Sequence, residues 1–415
     1  MAGASFLMVW TEILQLPGFT VAHLEEDVAA KRYHMTVVPE HPIGACPHCG
    51  QATQNLKQYR TRDSILDLPI GSHSVELKVR VGQFECDRCG KCFTPPTSFL
   101  AEGTHATERW LARAAELIRH SDVANAAQFF KVPEKTLEGW YYGYIERQQQ
   151  RAAQAPAAPI RRIGIDELSL KKKHRQFVAV IVDHDNRRVL DVLENREKAT
   201  VVAYLKQKKV AGVLANVEEV TTDMWDAYVE AAREVFGPTV RITIDRFHVM
   251  KNFQDWLTAA RRELQNGLPA DAKKRLKGSR WWWVTNPENL REEDRKALAQ
   301  LRQEFPQLGQ LWEQRERLQA IFDNVSIKTA EHGRERLEGW MANVRKMGIT
   351  ALDKFCATLT NWMDKITNYF HSRSSNGRTE GFNHGLRTIL WRAYGMLSFK
   401  NFRLRVLDRF GKAKA

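Results

Sequence analysis

Arg161–Glu194 reads RRIGIDELSLKKKHRQFVAVIVDHDNRRVLDVLE. Its apolar runs are short, rich in β-branched residues and separated by polar turns, the pattern of three consecutive strands. The first strand ends at Asp166, and DHDNR (Asp183–Arg187) is the turn between the second and third. Working outward, Thr200–Lys209 has helical spacing and VEEVTTD (Val217–Asp223) is a fourth strand ending at Asp223. MWDAYVEAAREVF (Met224–Phe236) is helical, VRITID (Val240–Asp245) is a fifth strand, and RFHVMKNFQDWL (Arg246–Leu257) starts another helix.

Three strands, helix, strand, helix, strand, helix is the order of an RNase H-like core. In that order the ends of the first and fourth strands are neighbours, which sets Asp166 beside Asp223. A strand-end carboxylate is often a plain structural cap, but two at these topological positions favour a working pair. Glu167, Asp183, Asp185 and Asp226 are acids outside that pair. From about 254 to 365 no strand pattern survives, and the segment reads as an all-helical insertion carrying Trp256, Trp281, Trp282, Trp283, Trp312, Trp340 and Trp362. Beyond it, HSRSSNGRTEGFNHGLR (His371–Arg387) begins with turn-formers and continues as a helix. Thr379 is placed to cap it and Glu380 falls in its first turn. Asn383 and His384 follow at helical spacing, on the face of Glu380. Glu380 stands beside Arg378 and Arg387, and is either a carboxylate complementing the helix dipole or a metal ligand near phosphate.

The chain has 415 residues and a formal net charge of +14, from 63 Lys+Arg against 49 Asp+Glu. That excess points to a polyanionic partner, nucleic acid first. The basic residues are spread along the chain, which argues against membrane binding. Phe6–Leu16 is apolar but interrupted by Glu12, and no Lys or Arg precedes Lys31, so a cytoplasmic chain is expected.

Five of the six cysteines lie between Cys46 and Cys92. CPHCG (Cys46, Cys49) and CDRCGKCF (Cys86, Cys89, Cys92) are two CxxC knuckles, and four thiolates are what tetrahedral zinc requires. Val75, Leu77, Val79 and Val81 alternate between them as a strand. Cys92 is a spare or an alternative ligand, and Cys356 is a lone structural thiol. ERWLARAAELIRH (Glu108–His120) and the stretch Ser121–Glu146 then read as helices with a turn around Lys131–Pro133. Ala126, Ala127, Val132 and Leu137 fit a helix-turn-helix, whose Lys131 and Lys135 would meet DNA; the alternative is an ordinary helical hairpin. QQQRAAQAPAAP (Gln148–Pro159) is a linker by composition. In KKRLKGSRWWWVTNPENL (Lys273–Leu290), Arg280 and Trp281, Trp282 and Trp283 either meet DNA backbone and an unpaired base or pack the insertion core.

The blocks GIDELSLKKKHRQFVAVIVD (Gly164–Asp183), TTDMWDAY (Thr221–Tyr228), IDRFHVMKN (Ile244–Asn252) and SNGRTEGFNHGLRTILWRAYG (Ser375–Gly395) resemble those of DDE transposases of bacterial insertion sequences, ISL-three type. Members of that group also begin with a CxxC zinc ribbon and a helix-turn-helix. DRFH (Asp245–His248) resembles an Asp-x-x-His element shared with hAT and Mutator-like enzymes, which carry a helical insertion. The resemblance implies a multidomain α+β chain. Residues 1–100 would hold the zinc ribbon (Cys46, Cys49, Cys86, Cys89), 101–147 the helix-turn-helix, and 148–159 the linker. Residues 160–253 and 366–415 would form the RNase H-like core around an insertion at 254–365. It implies Asp166, Asp223 and Glu380 as ligands of two Mg²⁺ or Mn²⁺ ions, Asp166 bridging both, with His248 at the scissile phosphate or a flanking nucleotide; His248 as a packed histidine and Asp245 as a helix cap is the alternative. It also implies double-stranded DNA bearing terminal inverted repeats, together with target DNA, as partners. Pairing two ends calls for at least a homodimer. The rival functions are a DNA-binding regulator on an inert scaffold and a structure-specific endonuclease.

Overall fold

The computed structural model describes residues 2–153, 158–171, 176–374, 377–393 and 398–412; the side chains at 2–5, 153, 171, 351, 377–378 and 380 lie outside that description. Two units separate by contact, Met1–Ala155 with Arg392–Asp408 and Pro156–Trp391 with Arg409–Ala415. Among the described residues no helix is long and apolar enough to cross a membrane.

The first unit runs α1 (Ala2–Leu14), β1 (Phe19–Asp27), β2 (Arg32–Pro39), β3 (Gly44–Ala45), β4 (Ala52–Thr53), β5 (Leu56–Ile70), β6 (His73–Glu85) and β7 (Cys92–Phe93). Its main sheet has the order β1-β2-β6-β5, with β7 against β6. The alternation in β6 is realised: Val75, Leu77, Val79 and Val81 are all buried, in one core with Met35, Val37 and Leu14. A sheet this large exceeds the expected ribbon. Lys57–Ser64 in β5 is exposed throughout, so its strand character comes from pairing with β6 and not from an apolar pattern of its own.

Three helices follow, α2 (Glu108–His120), α3 (Val123–Phe130) and α4 (Glu134–Ala153). The Thr107 hydroxyl accepts from the Trp110 amide and Asp122 from the Asn125 amide, each capping its helix. Lys131 turns the chain in the left-handed region at φ 54° between α3 and α4, and Ala126, Ala127 and Leu137 are buried where the helices meet. Buried Asp67 of β5 accepts from the Thr107 hydroxyl and pairs with Arg109, which fastens α2 to the sheet. The linker expected from Gln148 starts later, because α4 continues to Ala153; Gln, Arg and Ala are good helix formers, and low complexity hid that.

The second unit contains β8 (Arg162–Lys171), β9 (Gln176–Asp183), β10 (Arg188–Leu193), α5 (Lys198–Val210), β11 (Glu219–Thr222), α6 (Asp226–Phe236), β12 (Arg241–Ile244) and α7 (Arg246–Gly267). The strand order is β10-β9-β8-β11-β12. The first three strands pair antiparallel, while β8, β11 and β12 are parallel, so the expected adjacency of first and fourth strands is present. α8 (Ala270–Leu276), α9 (Arg280–Val284), α10 (Glu292–Glu304), α11 (Pro306–Asp323), α12 (Ala330–Arg345) and α13 (Thr350–Ser372) share one apolar core. The helical segment is not cut off at 254 or 365: α7 and α13 run unbroken through both positions. Asn368 of α13 donates to the Ile242 carbonyl of β12 (2.7 Å), so α13 reaches the sheet.

α14 (Gly377–Arg392) and α15 (Phe399–Phe410) end the chain. α15 was expected in the core of the second unit. Leu404 instead joins the apolar cluster of α2–α4, and buried Asp408 finds Arg119 (2.8 Å) and the Tyr141 hydroxyl (3.2 Å). A buried carboxylate needs such partners, and they lie 267 or more residues away in sequence.

Glu219 of β11 positions the turn before α14. It is buried, and its carboxylate accepts from the hydroxyls of Thr243 (2.5 Å), Ser372 (2.6 Å) and Ser374 (3.1 Å). Glu219→Ala would leave the buried hydroxyls of Thr243 and Ser374 without their acceptor and release half-buried Ser372, and is expected to cost about 3 kcal/mol. Chemical denaturation checks this, with Glu219→Gln losing markedly less.

Candidate active site and metal centre

The parallel register builds the acid site. Thr221 pairs with Gly164, and Thr222 with Ile244. Continuing these pairings by a residue or two brings Asp166 level with Asp223 and Asp245, which follow the carboxyl ends of β11 and β12. Asp166 itself lies inside β8, which does not end there as expected but runs on to Lys171 because β9 pairs with it that far. Asp166 is buried, 6% exposed; its Oδ1 accepts from the Glu167 amide (2.8 Å) and its Oδ2 from Asn383 Nδ2 of α14 (2.7 Å). Burial pushes the Asp166 carboxyl up to about 7, against the Glu167 amide, with further push from the charges of Asp223, Glu167 and Asp245. Burial and the Glu167 charge raise Asp223 to about 6. Burial is the first cause for both carboxyls, so a compensating positive charge nearby would favour their ionised forms.

His248 stands with Nε2 3.9 Å from Asp166 Oδ1, and burial followed by the Lys251 charge lowers it to about 4, so it is a neutral imidazole at pH 7. Asp245 caps α7, accepting from the Phe247 amide. Asp245 is thus a helix cap, and His248, in the first turn behind it, lies near Asp166. Lys251, one turn beyond His248, supplies the positive charge acting on both His248 and Asp223. Sequence inspection missed it, although its i+3 spacing from His248 was available.

The other acids have structural work. Asp183 accepts from the Asp185 and Asn186 amides and from Arg188, Asp185 accepts from the Arg161 and Arg162 amides, and Glu167 pairs with Arg196. Asp226 is exposed in the first turn of α6. Glu380 lies in α14 one turn before Asn383, but its side chain and that of Arg378 fall outside the described residues. Arg387 and His384 are exposed, so His384 does not share the inward face of Asn383. Thr379 is inside the helix and buried, not its cap.

The tryptophan trio divides. Trp283 is 1% exposed and donates from Nε1 to the Ser279 hydroxyl (3.1 Å), and Trp282 packs against the helical core. Both belong to the packing alternative. Trp281 is 64% exposed with Arg280 over its ring at 5.1 Å, and Lys273, Lys274 and Lys277, which precede it in the sequence, are exposed too. A one-and-a-half-turn helix cannot turn three consecutive rings to one side. Lys131 and Lys135 are exposed in the first unit, with Glu134 and Glu138 exposed near them.

Also in the first unit, the four cysteines Cys46, Cys49, Cys86 and Cys89 bring their sulfurs within 4.8 Å of one another. Cys46 and Cys89 are 3.7 Å apart, Cys49 and Cys86 3.5 Å. Sulfurs about 2.3 Å from a tetrahedral zinc stand about 3.8 Å from each other, so the set fits the ion. Each knuckle closes alike: the Gly50 amide donates to the Cys46 carbonyl and the Gly90 amide to the Cys86 carbonyl, both at 2.8 Å. These glycines have φ of 74° and 68°, where a side chain would be strained. The amides of Cys89 and Arg88 hold the Cys86 thiol at about 7, despite its burial. Cys92 is exposed on β7 and stands outside the cluster, as does His48.

Residues 163–406 match the model of the transposase family DDE_Tnp_ISL3, and residues 43–89 match that of the zinc-finger of transposases IS204/IS1001/IS1096/IS1165. This chain belongs to the ISL3-type DDE transposases. It is 25% identical over 378 residues to the transposase for insertion sequence element IS1001 of Bordetella parapertussis, covering 90% of each chain. It is 27% identical over 264 residues, 58% of each chain, to the transposase for IS1557 of Mycobacterium tuberculosis.

Proposed function

We propose that this transposase binds the terminal inverted repeats of an insertion sequence, cleaves DNA at the ends and transfers the freed 3′-OH to target DNA. The observation that carries this reading is the level placement of Asp166 and Asp223 on adjacent parallel strands, with Asn383 of the Glu380 helix bonded to Asp166. On this reading the second unit is an RNase H-like core with a helical insertion, and α2–α4 are a helix-turn-helix. Asp166, Asp223 and Glu380 hold two Mg²⁺ or Mn²⁺ ions; an oxygen donor set beside a neutral imidazole suits hard cations. Bound there, such ions activate the attacking oxygen and stabilise the leaving one. The chain's own residues do the rest. Asp166 would bridge both ions, Lys251 draws phosphate toward the acids, and neutral His248 can donate to a phosphate oxygen without a charge to desolvate. Trp281 and Arg280 offer a stacking face and a cation to DNA. The zinc ribbon and α2–α4 read the ends, and joining two of them calls for at least two copies of the chain in a cytoplasmic complex.

Glu380→Gln tests the third ligand. Cleavage should fall by roughly 10³-fold while binding to repeat DNA persists, since an amide in place of the carboxylate removes a negative charge from the ion's ligands. Cleavage near the wild-type rate would remove Glu380 from the site.

A further inference from the structure

The Asn383 amide is only half used. It is 4% exposed, its Nδ2 donates to Asp166 Oδ2 at 2.7 Å, and its Oδ1 is buried without a hydrogen-bond partner. Nδ2 faces the carboxylate, which is the orientation that an ionised Asp166 requires, since an ionised carboxylate accepts only from the NH₂ group. A buried carbonyl oxygen left without a hydrogen-bond donor is costly. Hard divalent cations take carbonyl oxygens of Asn as ligands alongside carboxylates.

We infer that Asn383 belongs to the ion site: its Nδ2 positions the Asp166 carboxylate, and its Oδ1 is a neutral oxygen donor to the divalent cation. The inference rests on the proposal that Asp166 binds that cation. Asp166 keeps a lone pair on each oxygen after accepting from Asn383 and from the Glu167 amide, so both remain available to cations. The same contact docks α14 on β8 and so ties the helix bearing Glu380 to the strand bearing Asp166.

The test is Mn²⁺ binding by the full-length chain, read by electron paramagnetic resonance of the free ion, with no reaction required. Asn383→Ala should weaken Mn²⁺ binding by about 10-fold or more, the loss typical when a ligand's partner is removed. Asn383→Asp forfeits the Nδ2 donor but restores an oxygen, and should bind Mn²⁺ more tightly than Asn383→Ala while melting lower than wild type without the ion. A packing role predicts lower melting temperatures in both variants with unchanged Mn²⁺ affinity, and that result overturns the inference. Asp166→Asn, run alongside, separates the two failures. If it too binds Mn²⁺ like wild type, the acid site itself is misassigned; if it alone loses binding, only the role of Asn383 falls.

Discussion

Asp166→Asn is expected to lower Mg²⁺-dependent cleavage by roughly 10³-fold or more, as removal of a central ligand should, and at the same time to stabilise the ion-free protein at pH 8. Asp166 titrates near 3.8 when unfolded and at about 7 in the fold, because burial disfavours its charge. The folded state therefore holds the proton more tightly. The associated stability is fully present below about pH 4 and is lost as pH rises through about 7. At about 1.4 kcal/mol per pH unit the loss is on the order of 4 kcal/mol. An amide at position 166 carries no charge to desolvate. Asn383 can also turn its unpaired Oδ1 toward the new NH₂, so the hydrogen bond survives the change. Calorimetry without divalent ions should show the Asp166→Asn transition roughly 8 °C above wild type at pH 8, with the gap closing toward pH 4. A variant melting at or below wild type at pH 8 contradicts the burial account.

Cys46→Ser is expected to abolish zinc binding and repeat-end binding together. Structural zinc contributes on the order of 10 kcal/mol to domains built around it, and three thiolates leave the tetrahedron open. Cys46 is also the knuckle whose carbonyl accepts from Gly50 and whose amide donates to the Gln51 carbonyl, so ion loss would release the β3–β4 hairpin. The second unit has its own cores and should keep its melting transition. Zinc content by atomic absorption, set beside repeat binding, checks both halves. An unchanged zinc content would mean that Cys92 or His48 substitutes and that the four-thiol assignment is incomplete.

The legible parts of this protein are those where spacing alone dictates geometry. Two CxxC knuckles must converge to bind an ion, and their sulfurs do lie together. Strand order places β8 beside β11, and with parallel register that suffices to level Asp166 with Asp223. What sequence could not convey depends on partners far along the chain. Glu219 looks like one more polar residue in a strand until Ser372 and Ser374 arrive from 153 and 155 residues away. α15 carries no mark of its destination, because Asp408 and Leu404 are matched by residues of α2 and α4. Helical spacing put Asn383 and His384 on one face with Glu380; a face about two residues wide does not say which of them turns inward, and only Asn383 does. In α9, composition suggested a single DNA-facing trio, but packing divides Trp283 from Trp281. Polar β5 escaped notice for the opposite reason, since edge pairing needs no apolar stripe.

The central claim is that the acids cut and join DNA. The most direct measurement incubates the full chain with labelled DNA carrying the repeats that flank its gene, an unlabelled target duplex and Mg²⁺. The account predicts a nick at the repeat boundary, followed by transfer of the labelled 3′ end into the target, both lost when EDTA replaces Mg²⁺. Nicking without joined product would point to an endonuclease, and repeat binding with no cleavage in Mg²⁺ or Mn²⁺ would contradict the account in favour of a DNA-binding regulator.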